Sequence, residues 1–357
     1  MPTAPDVYRK IWLRLAAKKA AFVNRKIQVF TDLEKTTLFF EGSEKKAEII
    51  IDSRRVSLLN DYSDAFWEEM VAQCEAKVLS KISNHQVKAY LLSESSLFVW
   101  DDRLLILTCG DTMLVNSVMY FLRHIDRRYV QQIIYQRKNE YCSHLQATHV
   151  LDDTKVLQTT NYGKLYRFGE LDSHHSYLYH LDNEYRSELN DKTYEVLIYN
   201  IDQSISSKLT QKNISKNTIR QILQLEKIIP EFILDDFVFE PFGYSLNAIR
   251  GNDYFTVHLT PQEHNSYVSF ESNLNLIDFI PNILDAFLPA SFDVITYNEF
   301  EFKQKMARVI PSHYKTKELV EEKLSCSYLV DFASYNREKI KFTKPMGINL
   351  EGKDNVF

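Results

Sequence analysis

Short runs of β-branched and aromatic residues, separated by amphipathic stretches, recur through both halves of the chain and restrict it to folds of sheets covered by helices. In the first half, residues 37–40, 47–51, 87–92, 97–100 and 104–108 read as strands, and 64–77 and 112–124 as helices. The second half repeats the style. Strands are predicted over 193–201, 255–259, 267–270 and 292–297, and helices over 219–225 and, interrupted by Pro281, 277–287. Short connections between neighbouring strands predict antiparallel sheets with helices packed outside. Residues 204–217, rich in Ser, Lys and Asn, read as an exposed loop. The chain has only eight glycines, and neither GxGxxG nor GxxxxGK[ST] occurs, which argues against dinucleotide-binding and P-loop chemistry.

At 45% hydrophobic residues there is ample material for a buried core. A formal charge of −5 provides no global basic field, so small-molecule chemistry is expected rather than a nucleic-acid partner. Cys74, Cys109, Cys142 and Cys326 are too far apart for a CxxC zinc site and too few for a secreted disulfide framework. Free thiols, a cytoplasmic location and no metal are therefore predicted. No run approaches the roughly 20 apolar residues of a membrane span, so a soluble protein without a membrane partner is expected. Between residues 7 and 26, Arg9, Lys10, Arg14, Lys18, Lys19, Arg25 and Lys26 surround Ile11, Leu15 and Phe22 with no acid among them. Residues 1–35 read as a basic extension whose helix docks on its own domain or a partner subunit, with an organelle presequence or a membrane-surface helix as alternatives. Residues 36–357 read as one domain.

The stretch Leu92-Ser93-Glu94-Ser95-Ser96, followed by Thr108-Cys109-Gly110, has the chemistry of a self-cleaving site. Serine-rich stretches usually cap helices or make turns. A serine hydroxyl that attacks the preceding carbonyl instead converts an amide into an ester, and elimination leaves a dehydroalanine that hydrolyses to a pyruvoyl group. Three further motifs accompany it: Phe39-Phe40-Glu41-Gly42-Ser43-Glu44-Lys45; Phe242-Gly243-Tyr244-Ser245-Leu246-Asn247; and Thr256-Val257-His258-Leu259-Thr260-Pro261 followed by Tyr267-Val268-Ser269-Phe270-Glu271. Together they resemble the eukaryotic S-adenosylmethionine decarboxylases, the pyruvoyl enzymes of spermidine synthesis, in register from about Phe39 to about Tyr297. The resemblance implies an α+β fold, a four-layer αββα sandwich of two facing antiparallel sheets, internally duplicated, with the active site between the sheets.

It also implies a proenzyme that cleaves itself between Glu94 and Ser95 into a small and a large chain. The cofactor would be covalent pyruvate, a pyruvoyl group derived from Ser95, in place of PLP or a metal. Decarboxylation leaves a carbanion at Cα, which a Schiff base between the pyruvoyl ketone and the substrate amine delocalises. Carried over residue by residue, Ser95 is the nucleophile, Ser245 the hydrogen-bond donor to the oxyoxazolidine intermediate, and His258 the base that removes the Ser95 α-proton. Cys109 is the proton donor to Cα after carbon dioxide leaves. Phe40 and Phe239 are the rings that sandwich adenine, Leu92 and Gln262 border the substrate, Glu41 lies near the sulfonium end, and Glu44 belongs to the acidic cluster.

Two departures from the family pattern stand out. Gln262 replaces a ribose-gripping glutamate; its amide still accepts and donates, and neighbouring Glu263 is an alternative ligand. Glu48, Asp191, Thr193, Glu195, Glu271 and Tyr297 match a buried site that binds putrescine in many members, but the lysine that normally precedes Thr-Cys-Gly is Leu107. That change removes a cation from the relay between the acidic site and the catalytic end. Leu107 and Asn247-Ala248-Ile249-Arg250-Gly251 are most similar to the kinetoplastid branch, where an inactive paralogue can activate a catalytic subunit. A homodimer or a heterodimer with a paralogue is therefore expected, with S-adenosylmethionine as substrate. A non-catalytic regulatory paralogue is the competing function, and retention of Ser95, Cys109, Ser245 and His258 argues against it. His174, His175 and His180 read as surface or loop histidines, since adjacent strand residues face opposite ways and no carboxylate stands at metal-ligand spacing.

Overall fold

The computed structural model describes residues 44–138, 146–159, 162–262 and 266–338, and within them the strands form two antiparallel sheets. The first contains β1 (Lys45–Ile51), β2 (Val78–Ser83), β3 (Lys88–Leu92), β4 (Ser95–Val99), β5 (Arg103–Thr108), β6 (Val130–Lys138), β7 (Gly163–Gly169) and β8 (His175–Leu181), in the order β2-β3-β4-β5-β1-β6-β8-β7. The second contains β9 (Thr193–Tyr199), β10 (Ile233–Val238), β11 (Tyr244–Arg250), β12 (Asp253–Thr260), β13 (Tyr267–Ser272), β14 (Ser291–Tyr297), β15 (Tyr314–Lys323) and β16 (Leu329–Arg337), in the order β10-β11-β12-β13-β9-β14-β16-β15. Shifting every strand of the first order by eight gives the second. The predicted duplication is thus a duplication of topology.

Strand alternation divides each sheet into a helix-facing and a sheet-facing side. From β1, Ala47, Ile49 and Ile51 pack against Trp67 and Met70 of the helix Asp64–Ala72 and against Val118 and Phe121 of the helix Leu114–His124. From β9, Tyr194, Val196 and Ile198 join Ile219 of the helix Lys216–Ile222 and Ile283 and Phe287 of the helix Ile280–Phe287. The intervening residues face the other sheet. There, Ile50 and Ile134 meet Leu197 and Ile295 in one apolar patch, while Phe98, Leu105 and Leu107 meet Ile249 and Tyr254 in another. Polar side chains occupy the strands between these patches, and they form the site described below.

Several predicted elements change. The helix expected over 64–77 ends at Ala72, because the chain turns through Gln73–Glu75, with Glu75 at φ +69°, to enter β2. The loop expected over 204–217 instead holds the helix Gln203–Leu209 and the start of Lys216–Ile222; the polar residues misread as loop include Ser215, which caps the second helix as Asp202 caps the first. Pro281 opens a helix rather than breaking one: the 3-10 turn Leu276–Phe279 leads into Ile280–Phe287 with proline in its first turn, where no N–H is needed. The strand predicted over 37–40 and the basic extension over 1–35 lie outside the described residues.

The histidine reading is corrected for His175 and His180, while His174 lies in the connection before β8 as expected. His175 and His180 lie on β8 and are buried, and their Nδ1 atoms donate to the carbonyls of Ser173 and Leu181 at 3.0 and 2.8 Å. His174 precedes β8 and donates from Nδ1 to Asp293 at 2.8 Å. Among the described residues, no helix is long and apolar enough to cross a membrane.

The helix-facing layers are the main source of stability. Phe270 is fully buried there between Phe255 and Phe287, with ring centroids 6.2 and 6.0 Å away. Phe270→Ala should cost about 3–5 kcal/mol in urea unfolding; a loss below about 1 kcal/mol would contradict this packing.

Candidate active site

In the β3–β4 hairpin Leu92 pairs with Ser95, leaving Ser93 and Glu94 as the turn. Ser93 tethers this turn to the chain before β2: its N–H donates to the Lys77 carbonyl at 2.8 Å, and its hydroxyl accepts from the Lys77 N–H at 3.0 Å. Along β4, Leu97 and Val99 face the helices, whereas Ser96 and Phe98 face the other sheet. By that alternation Ser95 would point toward the helices. Its backbone breaks the pattern with φ +143°, a region unfavourable for a residue with a side chain. Its hydroxyl lies between the sheets, 2.9 Å from His258 Nε2.

His258 comes from β12 on the facing sheet, where its cross-strand neighbour Ser245 places Oγ 3.1 Å from Nδ1. On the Nε2 side, Thr256 Oγ1 lies at 3.1 Å and Ser96 Oγ at 3.4 Å. Both hydroxyls also reach Asn247 Oδ1, at 3.3 and 2.5 Å. Burial pushes the His258 pKa down to about 4, with Glu44 acting upward and Lys138 downward. The ring is therefore neutral near neutral pH. The tautomer that donates from Nδ1 to Ser245 leaves the Nε2 lone pair facing the Ser95 hydroxyl.

The Glu94 carbonyl accepts the Cys109 N–H at 3.0 Å and the Cys109 thiol at 3.4 Å. Cys109 directly follows β5, whose Thr108 pairs with Ser95, and Gly110 turns the chain at φ +67°. Lys45 Nζ donates to the Gly110 carbonyl at 2.7 Å and holds this turn in place. A carbonyl polarised by two donors thus precedes a serine whose hydroxyl rests on a neutral imidazole.

Deeper between the sheets lies a charged cluster. Lys46 Nζ is 2.9 Å from Glu195 and 2.8 Å from Glu271. Lys138 Nζ lies 2.9 Å from Glu195, 3.6 Å from Glu271 and 2.5 Å from Glu44. The other oxygen of Glu44 accepts from Ser269 at 2.5 Å, and Ser269 is the cross-strand neighbour of His258. Arg103 joins Glu48 at 3.1 Å to Asp191 at 2.6 Å, and Tyr328 donates to Asp191 as well. The Tyr254 hydroxyl donates to Glu271 at 3.0 Å, and the Tyr297 ring lies 5.3 Å from the Lys46 ammonium. Burial opposes the charge on Lys46, but Glu195 and Glu271 outweigh it and raise its pKa. Burial likewise raises Glu48 and Glu271, against the pull of Arg103 and Lys46 respectively.

The structure brings Ser95, Cys109, Ser245 and His258 around one peptide bond and links Glu44 to them. It also gathers Glu48, Asp191, Glu195, Glu271 and Tyr297 in one cluster, with Thr193 at the end of β9 beside them. Ser245 contacts the imidazole, whereas the Cys109 N–H and thiol donate to the Glu94 carbonyl. Leu92 ends β3 beside Ser95: alternation sends its side chain into the helix-facing core, and its backbone borders the site. Phe239 lines a cavity of about 450 Å³ with Phe242, Leu259 and Pro261, and its ring meets Phe237 edge-on at 4.8 Å. Gln262 is buried, and its amide nitrogen and oxygen have no hydrogen-bond partner among the described residues. Phe40, Glu41, Cys142 and Glu263 lie outside the described residues. The sequence reading missed Lys46, Lys138 and Arg103 in the charged cluster and the roles of Ser96, Asn247 and Thr256 around the imidazole. A charge alternating with Ala47 and Ile49 on β1 was the available signal for Lys46.

Comparison with known proteins agrees with this geometry. A family model described as adenosylmethionine decarboxylase matches residues 37–337. The S-adenosylmethionine decarboxylase proenzyme of Trypanosoma cruzi is 32% identical over 280 residues, spanning 72% of this chain and 75% of that protein. The corresponding proenzyme of Trypanosoma brucei brucei is 33% identical over 277 residues, with 72% and 75% spanned, and that of Xenopus laevis is 30% identical over 279 residues, with 72% and 83%. The crystal structure of a Trypanosoma brucei AdoMetDC-delta26 monomer shares the fold, with a TM-score of 0.51 at 24% identity over 68% of this chain and 99% of that one. A family match across nearly all the described residues, on a duplicated two-sheet fold, shows that the chain belongs to the adenosylmethionine decarboxylase family.

Proposed function

We propose that the chain is a proenzyme that cuts itself between Glu94 and Ser95 and then decarboxylates S-adenosylmethionine, supplying decarboxylated S-adenosylmethionine for spermidine and spermine synthesis. The observation that carries this reading is the strained Ser95, with its hydroxyl 2.9 Å from a neutral His258 and the preceding carbonyl held by Cys109. Ser95 Oγ adds to the Glu94 carbonyl carbon while its proton passes to Nε2. The Cys109 N–H and thiol stabilise the developing oxyanion. Expulsion of the Ser95 nitrogen, which takes up a proton, converts the amide into an ester. His258 then removes the Ser95 α-proton, the Glu94 carboxylate leaves as the new C-terminus of the small chain, and the resulting dehydroalanine takes up water and loses ammonia. Ser245 steadies Nδ1 while the ring moves protons at Nε2.

The residues fit a pyruvoyl group at position 95, since that atom site is already flanked by the cleavage machinery. The group supplies the electron sink for the carbanion formed at Cα. Cys109, beside it, holds the proton that Cα receives. Phe239 offers a ring face to adenine, and the two unpartnered amide atoms of Gln262 offer a donor and an acceptor to the ribose hydroxyls. We further read the charged cluster as the place where a diamine such as putrescine acts. Five carboxylates, Glu44, Glu48, Asp191, Glu195 and Glu271, face the three cations Lys46, Lys138 and Arg103, and a dication would offset the difference.

Release of carbon dioxide from carboxyl-labelled S-adenosylmethionine tests the activity. The wild type should release it, and Ser95→Ala should remain a single 42.0 kDa chain with no release; an active Ser95→Ala would refute the proposal. Cleavage also has a predicted pH profile. Because burial lowers the His258 pKa from the ordinary imidazole value of about 6.5 to about 4, the neutral base persists as pH falls. The rate of precursor cleavage should stay level down to about pH 5 and halve near about pH 4, with circular dichroism confirming the fold. A midpoint near 6.5 would show that the imidazole is not desolvated.

A further inference from the structure

The lysine missing at position 107 has a counterpart one strand away. Lys46 and Leu107 are direct cross-strand partners of β1 and β5, so their side chains rise from the same face of the sheet. Leu107 packs in the apolar patch that contains Tyr254, whose hydroxyl donates to Glu271. A lysine at 107 would therefore extend toward the carboxylates that Lys46 already bridges at 2.9 and 2.8 Å. We propose that Lys46 is a positioning residue that supplies from β1 the cation that position 107 lacks, and that it keeps Lys138 available to Glu44 so that the cleavage base is correctly set. This inference rests on the self-cleavage proposed above.

The contacts define how Lys46 acts. Among the described residues, Lys138 is the other cation within 4.0 Å of Glu195 and Glu271, and it is also the ion-pair partner of Glu44. Without Lys46, Glu195 and Glu271 compete with Glu44 for Lys138. Glu44 in turn binds Ser269, the strand neighbour of His258, and Glu44 and Lys138 are the charged groups that act on the imidazole in opposite directions. Drawing Lys138 away leaves Glu44 less compensated, and the imidazole then takes a proton at higher pH. The loss of Lys46 thus affects cleavage through charge as well as through packing.

A reciprocal exchange tests this, using wild type, Lys46→Leu, Leu107→Lys and the double variant, each as the full chain. The readouts are the half-time of precursor cleavage, its pH midpoint and thermal melting. Lys46→Leu should slow cleavage roughly tenfold or more and move the pH midpoint upward. Leu107→Lys alone, which crowds two ammonium groups together, should also slow it. The double variant should return to within about threefold of wild type with its pH midpoint restored. If Lys46→Leu does not fold, Lys46→Gln keeps hydrogen-bond donors without the charge and takes its place in the exchange. A folded Lys46→Leu that cleaves at the wild-type rate, or a folded double variant as slow as Lys46→Leu, overturns the inference while leaving self-cleavage standing. An uncut wild type overturns both.

Discussion

Lys46 and Lys138, gripping Glu195 and Glu271 between the two sheets, are the interaction on which the remainder of the site depends. Taking carboxylates out of water costs several kcal/mol per ion unless partners and hydrogen bonds compensate. The sandwich compensates by supplying both signs from opposite sheets: the lysines from β1 and β6, the glutamates from β9 and β13. Removing one member leaves an unpaired charge that neither sheet can hydrate. The two sheets are therefore held in register by charge at their centre and by apolar packing around it. Contacts to Glu44 and Ser269 carry that register to His258.

The second constraint is the backbone of Ser95. A residue with a side chain at φ +143° costs on the order of 1–3 kcal/mol, and such a conformation persists only where its surroundings over-determine it. Here they do so through the hairpin pairing of Leu92 with Ser95, the Thr108 pairing on the other side, and the Cys109 donors on Glu94. Together these aim the hydroxyl against the direction that strand alternation prescribes. A peptide bond strained at the serine and polarised at the carbonyl is a natural place for a chain to break itself.

Much of this was legible in the sequence, for identifiable reasons. The β-branched central strands 47–51, 104–108 and 292–297 announced themselves because one face packs on helices and the other on a second sheet. Strands such as Tyr314–Lys323 and Gly163–Gly169 did not, because they lie at sheet edges and alternate charged or tyrosine residues with few apolar ones. Ser95, Cys109, Ser245 and His258 lie in short motifs that are modest singly and specific in combination. Lys46 and Lys138 escaped because a lysine in a strand, here beside Lys45 and Arg137 respectively, is ordinarily a solvent-facing residue; only the parity of Lys46 and Glu48 against Ala47 and Ile49 reveals an inward charge. Leu107 read as the loss of a cation because the replacement lies 61 positions earlier in the chain, adjacent only once β1 and β5 pair.

The central claim is that Ser95 becomes the modified first residue of a new chain. The direct measurement is intact-mass spectrometry of the purified protein, with peptide mapping of the larger fragment. The account predicts two chains divided between Glu94 and Ser95, the larger beginning with a pyruvoyl group that resists N-terminal sequencing. A single uncut chain, or a fragment that begins with unmodified serine, would contradict it.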